Sequence, residues 1–357
     1  MNRSLLIKAF SIVVLAILLI SAPLFLNSVY WVSVLILIGI NILLASSLRT
    51  ISLLDQISLG HVGFMLIGAY SSAILMMKIG LPFWTTLFLA GLLSGVIALA
   101  LGYPFLRVRG VYFAMLTLLT AETFRLGAWN WRNLTGGSLG LINIPAPTRL
   151  GSISFEGVNN YYYLTLGVLT LSLLVLYRLE RSPLGFTWRA IRDADNLAQS
   201  VGINVIWYRI VNFAVACFFA GIAGALFAHY RRGLSADLGS TFGVMTSLYL
   251  VIYMVVGGQR RFAGPIVGVF VLTLASELAR PLKEFQPMLI GAIAILVVLF
   301  LPEGIVSLPQ QFKLWPAALS KSVRKPEVKL SEHAEHQLRQ VDVIGSLSRN
   351  STEISQD

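Results

Sequence analysis

Uncharged runs long enough to cross a bilayer recur along this chain, and no other feature limits its fold as much. Residues 12–26, 31–48, 84–106, 162–177 and 287–301 contain no charged side chain. With their flanks they approach the roughly 20 residues that a helix needs to span the hydrocarbon core. A pair of such runs would anchor a soluble domain, whereas this many require a polytopic bundle. Only 12% of the 357 residues are charged, against about a quarter in a soluble domain.

Candidate spans fall near 7–26, 30–48, 57–77, 84–106, 110–128, 161–179, 208–230, 240–257, 262–280 and 286–302. The expected fold is therefore an all-α transmembrane bundle of about ten spans, eight to eleven if a re-entrant segment alters the count. Arg3 and Lys8 ahead of the first run resemble a secretory signal, but Ser21-Ala22-Pro23 is a poor cleavage site, so the run reads as a retained span. The net charge of +11 does not point to a nucleic-acid partner, because Lys and Arg cluster in short connections between spans. With the N-terminus inside, the inner connections hold twelve of these residues and the outer ones eight, which favours both termini in the cytoplasm. Residues 129–160, rich in Gly, Asn and Pro, form the longest connection, on the outer side. The transmembrane domain is expected over 1–308 and a polar, mostly disordered cytoplasmic tail over 309–357. Cys217 is the only cysteine, so the chain can form no internal disulfide.

The polar residues within spans are few. Gln56, Ser58 and His61 interrupt the start of the third run, where they either line a cavity or mark a boundary. A lone histidine there is either a packing residue or part of a translocation path. Glu122 with Arg125 and Glu277 with Arg280 stand three residues apart, as locally neutralised pairs do. Gly91 and Gly95, Gly221 and Ala225, Gly224 and Ala228, and Gly264 and Gly268 have the spacing that lets membrane helices pack closely. No metal-ligand cluster, nucleophile motif or phosphate-binding loop appears in the sequence, which favours transport or scaffolding over catalysis.

One stretch between spans looks soluble: RSPLGFTWRAIRDADNLAQSVGIN, residues 181–204. From Arg189 onward, Ala190, Ile191, Ala194, Leu197, Ala198 and Val201 form a single helical stripe. Pro183 precedes it, and Gly202 stands where a left-handed residue would end it. Such a helix could lie among the lipid headgroups. Alternatively, held by spans at both ends, it could carry movement from a cytoplasmic partner into the bundle.

Seven blocks, in order, carry a family resemblance: QISLGHVGFMLIGAY (56–70), LRVRGVYFAMLTLLTAETFRL (106–126), LTGGSLGL (134–141), SPLGFTWRAIRDADNLAQSVGIN (182–204), AGIAGALFA (220–228), GPIVGV (264–269) and LPEGI (301–305). Over about 35–308 the chain resembles the LivM-type permeases of branched-chain amino acid ABC importers. The resemblance implies a type II importer-like fold in the plasma (inner) membrane. It also implies a second homologous permease, two cytoplasmic ATPases, an extracytoplasmic binding protein, and ATP used only by the partners, with no cofactor bound by this chain. It makes about 182–207 the coupling segment, with Arg189, Ala190, Ile191, Arg192, Ala198, Gly202 and Ile203 as the ATPase-docking candidates. Asn196-Leu197 stands where the importer signature often has Glu-Ala, and Arg260 and Arg261 replace small residues usual after the paired glycines. Gln56, Ser58 and His61 are then the pathway candidates. Thr135, Gly136 and Gly137 are the outer-rim candidates, with an ordinary tight turn as the competing reading. Related permeases carry urea, short amides or aromatic carboxylates, and an ion-coupled carrier of another class stays open.

Overall fold

The computed structural model describes residues 19–308, apart from 24, 26, 27, 109, 152, 238 and 302. Most of the expected first span, 7–26, and the whole tail, 309–357, lie outside the described residues. Eleven helices carry the architecture of the described region. These are α1 (Val29–Ser52), α2 (His61–Ile74, continued by a π turn to Ile79), α3 (Phe83–Phe105) and α4 (Val111–Asn130). Next come α5 (Val158–Glu180), the short α6 (Pro183–Asp193) and α7 (Asp195–Ser200), and α8 (Val205–Arg231). The set ends with α9 (Val244–Gly257), α10 (Gly264–Leu278) and α11 (Gln286–Phe300).

Every expected span beyond residue 29 is thus helical. Five helices, α1, α2 with its π turn, α3, α5 and α8, are long and apolar enough to cross a bilayer, while α9, α10 and α11 are shorter apolar helices. The expectation of about ten crossings is met only to that extent. Two small antiparallel pairings depart from the helical pattern: β1 (Leu141–Ile142) with β2 (Gly233–Leu234), and a bridge between Leu150 and Ile153.

At the centre is α8, buried along nearly its whole length, packed between α1, α2 and α3. Lipid offers no hydrophobic drive for such packing, so close backbone approach has to supply the contact energy. A Cβ on Gly68 of α2 would lie 2.2 Å from the Gly221 carbonyl of α8, and one on Gly224 would lie 2.0 Å from the Met65 carbonyl. These glycines are therefore required by contact, as the spacing of Gly221 and Gly224 predicts and that of Gly68 does not. Ser94 of α3 joins the same seam, donating to the Phe64 carbonyl at 3.1 Å. Outward faces of α3, α4 and α11 stay apolar, with Phe88, Val96, Met115, Leu119, Leu299 and Phe300 exposed, as a lipid-facing surface requires.

The helices alternate in direction, and this creates two distinct ends. The ends of α1, α5 and α9 meet the start of α8: Arg49 pairs with Glu180 and donates to the Gln259 carbonyl, while Asn212 donates to the Thr50 carbonyl. At the opposite end, Tyr161 donates to the Leu226 carbonyl, Lys78 to the Asn133 carbonyl, and Tyr30 to Glu277.

Candidate functional site

The soluble-looking stretch lies at the Arg49 end, and its form departs from the expected single helix. It is two helices, because Ala194 adopts an extended backbone at φ −154° and ψ 80°. Pro183 starts α6 at its first turn, where its missing N–H costs nothing. The chain leaves α7 by a Schellman turn: Gly202 has φ +85°, its N–H donates to the Gln199 carbonyl, and the Ile203 N–H donates to the Ala198 carbonyl. Asp195 at the head of α7 pairs with Arg209 of α8 at 3.0 Å.

The break divides the predicted stripe. Ile191 and Ala198 turn inward, joining Trp188, Val205, Leu53 and Leu54 in a separate small core. Trp188 is fully buried and donates to the Tyr208 carbonyl at 3.2 Å. Ala190, Ala194, Leu197 and Val201 face outward, the last two 65% and 70% exposed, and so does Phe186. A straight helix would put all six stripe residues on one face; the kink at Ala194 seats two of them and frees four. Of the docking candidates, then, Ala190, Arg192 and Gly202 are exposed, Ile203 is half-buried, and Ile191 and Ala198 are buried. Arg189 points back to its own mount, with Nη2 2.9 Å from the Glu180 carbonyl. Arg192 pairs with Asp193. Nearby, Arg260 lies 3.8 Å from Glu303, and Arg261 donates to the Val306 carbonyl.

Gln56, Ser58 and His61 are all buried, in and after the irregular link 53–60 between α1 and α2. That link penetrates the bundle: Leu59 N–H donates to Thr117 Oγ1, and a Cβ on Gly60 would strike the Thr117 carbonyl at 2.1 Å. Thr117 is six residues into α4, or about 9 Å along the helix axis, so α2 begins well inside its neighbour's span. His61 opens α2 with Nε2 2.8 Å from Ser47 Oγ, whose own proton goes to the Leu44 carbonyl. The assignment consistent with both contacts has Nε2–H donating and Nδ1 as an acceptor. His61 Nδ1 and Gln56 Nε2 are buried and have no hydrogen-bond partner among the described residues. Backbone and side chains at such depth are tolerated where they face protein or a polar cavity.

Thr135, Gly136 and Gly137 terminate a short helix, Arg132–Thr135, at the opposite end. Thr135 Oγ1 is 2.6 Å from the carbonyls of Ala128 and Trp131, and both Thr135 and Gly137 are buried. Gly136, at φ +78°, is so close to the Gly140 carbonyl that a Cβ would come within 2.0 Å of it. The motif is a tight turn that holds the end of α4.

Residues 30–301 match the family described as branched-chain amino acid transport system / permease component. The chain belongs to that family. Two permease proteins named LivM, of high-affinity branched-chain amino acid transport systems in Salmonella typhimurium and Escherichia coli, are 34% and 32% identical to it over 279 residues. That alignment spans 72% of this chain and 65% of each relative. A LivH permease of Escherichia coli is 24% identical over 280 residues, covering 73% of this chain and 89% of that protein. No solved structure matches the chain.

In this member of the permease family, two contacts escaped the linear reading. Arg49, 3% exposed, makes a two-pronged ion pair with Glu180 at 2.7 and 2.9 Å and lies 5.7 Å from the Phe262 ring centre. The partners are 131 residues apart, and Arg49 in sequence is merely one more inner-loop cation. Asn212 likewise looks like an isolated polar residue in an apolar run until the fold brings it under Thr50.

Proposed function

We propose that this chain is the membrane-spanning permease subunit of an ATP-driven importer of branched-chain amino acids. It works beside a second, homologous permease, two cytoplasmic ATPases and an extracytoplasmic binding protein. Its Arg49 end faces the cytoplasm with both termini, and the TGG turn faces outward. The chain performs no chemistry itself: ATP closes the paired ATPases, and α6 and α7 move with them. The bundle then exchanges an outward for an inward opening, a switch between two packings of rigid elements.

One observation carries this reading. A segment too polar to span is seated on the bundle by its own small core while leaving Phe186, Leu197 and Val201 bare. Each fully buried large apolar side chain contributes about 1.5–3 kcal/mol relative to exposure, so the Trp188 seat is firm. Uncovered apolar side chains on a surface in water mark a protein contact. The family membership supplies the kind of partner. Along the route inward, the unmatched polar atoms of His61 and Gln56 favour a polar occupant, because each unmet buried group costs about 1–3 kcal/mol.

The test is uptake by the reconstituted complex of leucine, urea and an aromatic carboxylate, with and without ATP. ATP-dependent leucine uptake is expected. Uptake by this subunit alone under an ion gradient overturns the reading, and urea or aromatic acid carried in place of leucine overturns the substrate. The docking face is tested by Leu197→Asp with Val201→Asp, which leaves the seat intact. The doubly substituted protein should assemble in the membrane yet lose co-purifying ATPase; undiminished ATPase binding removes the segment from the coupling role.

A further inference from the structure

A groove of about 850 Å³ opens on the outside of the bundle, at the end opposite the coupling segment. Its walls are Trp84 of α3, Phe155 of the connection before α5, and Tyr163, Leu164, Val168 and Leu171 of α5. The volume lies toward the upper end of the about 300–1,000 Å³ typical of ligand sites. Its frame is fixed by contacts on three sides. The Phe83 N–H at the head of α3 donates to Thr148 Oγ1 at 3.2 Å, the Trp84 and Phe155 rings meet edge to face with centres 6.0 Å apart, and Asn160 donates to the Ser154 carbonyl at 2.6 Å. These hold the connection over the groove as a lip. Gly167 leaves the space between Leu164 and Leu171 open, since a Cβ there would meet nothing within 4 Å.

The length, the surroundings and the mouth of the groove all point to hydrocarbon from the bilayer. Along α5 its lining runs from Asn160 to Leu171, a rise of about 16 Å on the helix axis. One leaflet of a bilayer with a hydrocarbon core of about 30 Å is about 15 Å deep. The groove is thus as long as one leaflet is deep, whereas a partner's membrane-crossing helix would need a seat about twice that length. Toward the bilayer centre it runs into a lipid-facing surface: Leu171, Leu174 and Phe88 are 63%, 54% and 59% exposed. A lipid chain therefore reaches it with no rearrangement of the protein. Left empty, its walls would forfeit their dispersion contacts on one side. At the mouth stand Trp84 and Tyr163, amphipathic rings of the kind enriched at headgroup level. Arg149 adjoins Leu150, which pairs with Ile153 of the groove wall. Its side chain is 70% exposed and 3.8 Å from Glu156, a loose contact that leaves several guanidinium N–H donors for a phosphate.

We propose that this groove binds one acyl chain of a phospholipid from the leaflet opposite the coupling segment, with the phosphate at Arg149, as a resident ligand that stays when the surrounding lipid is stripped away. The chain fills the space between α3, α5 and the lip, and so ties the connection before α5 to the bundle. Nothing in this inference depends on what the bundle carries.

The test is native mass spectrometry of the full-length chain with its partner permease and ATPases, released from lipid nanodiscs and washed stepwise with detergent. One phospholipid per copy of this chain should stay bound after the rest has gone, and its mass tells it from a free fatty acid or a detergent. Gly167→Phe puts a ring into the groove and should lower that retention at least about tenfold, a change equal to about 1.4 kcal/mol. Gly127→Phe, equally unobstructed at Cβ but on α4, should not. Arg149→Gln should hasten the loss, and unchanged retention in that variant removes the phosphate contact. A second measurement leaves the groove open: p-benzoylphenylalanine in place of the exposed Leu171, irradiated after the same wash, should give an adduct of phospholipid mass. Equal retention in the wild type and Gly167→Phe overturns the site. A fatty acid or detergent as the only retained mass overturns the phospholipid, and an adduct with protein, or none with lipid, gives the groove to a partner helix instead.

Discussion

At His61 a packing contact and the proposed place on the path meet in one side chain. Its Nε2 contact with Ser47 fixes the head of α2 against α1, while Nδ1 is left over. His61→Ala should lower stability by about 1–3 kcal/mol, the cost of a lost buried hydrogen bond and an orphaned partner, read as earlier heat-induced loss of monodisperse protein. Uptake per folded transporter then separates the two roles. An unchanged rate leaves His61 as a packing residue, and a reduced rate places it on the path.

Among the elements, α8 packs between α1, α2 and α3, and its small residues set its distance from α2 and α3. Gly221→Leu puts side-chain atoms where Ser94 Oγ and the Ala90 carbonyl already stand, 2.4 and 2.6 Å from the new Cβ. Overpacking costs about 1–3 kcal/mol even where side chains can yield, and here one obstacle is backbone. The expected result is loss of folded protein in size-exclusion profiles of the detergent extract, whereas Gly127→Leu, which meets nothing within 4 Å, should be tolerated. In the same way the kink between α6 and α7 seats Ala198 and releases Leu197. A substitution such as Ala198→Arg therefore attacks the mount, while Leu197→Asp attacks the proposed docking face.

Across the molecule, the Arg49–Glu180 pair joins parts that the chain order keeps apart. It links α1 and α5 to the turn after α9 through the carbonyls of Gln259 and Arg260, and the Glu180 carbonyl holds Arg189 of α6. Removing one member of a buried pair strands the other, at a cost of about 3–5 kcal/mol, while apolar replacement of both is often neutral. Glu180→Ala should therefore lower thermal stability sharply. Arg49→Met with Glu180→Leu should restore much of it, and a double-substituted protein no more stable than the single one would show that the pair does not act as a unit.

Helix positions were legible in the sequence because long apolar runs have one solution in a bilayer, and close helix packing was legible because small residues at four-residue spacing share a face. The Schellman turn at Gly202 could be read for the same local reason. Residues 30–301 also carried enough ordered motifs to show the family. What the sequence could not convey was anything that depends on residues distant in the chain. Periodicity predicted one helix over the 189–201 stretch, but the core made with Leu53, Leu54 and Val205 bends it at Ala194 and decides which apolar residues stay bare. Gln56 and His61 were visible as polar interruptions, yet only their burial, with Gln56 Nε2 and His61 Nδ1 unmatched among the described residues, distinguishes them from a boundary. Arg49 and Glu180 stand 131 positions apart in sequence, and they pair only because α1 and α5 pack against each other. Local sequence determines which elements form, through backbone hydrogen bonding and side-chain period; which charges meet, and which remain open to a ligand, is decided by the packing of those elements in three dimensions.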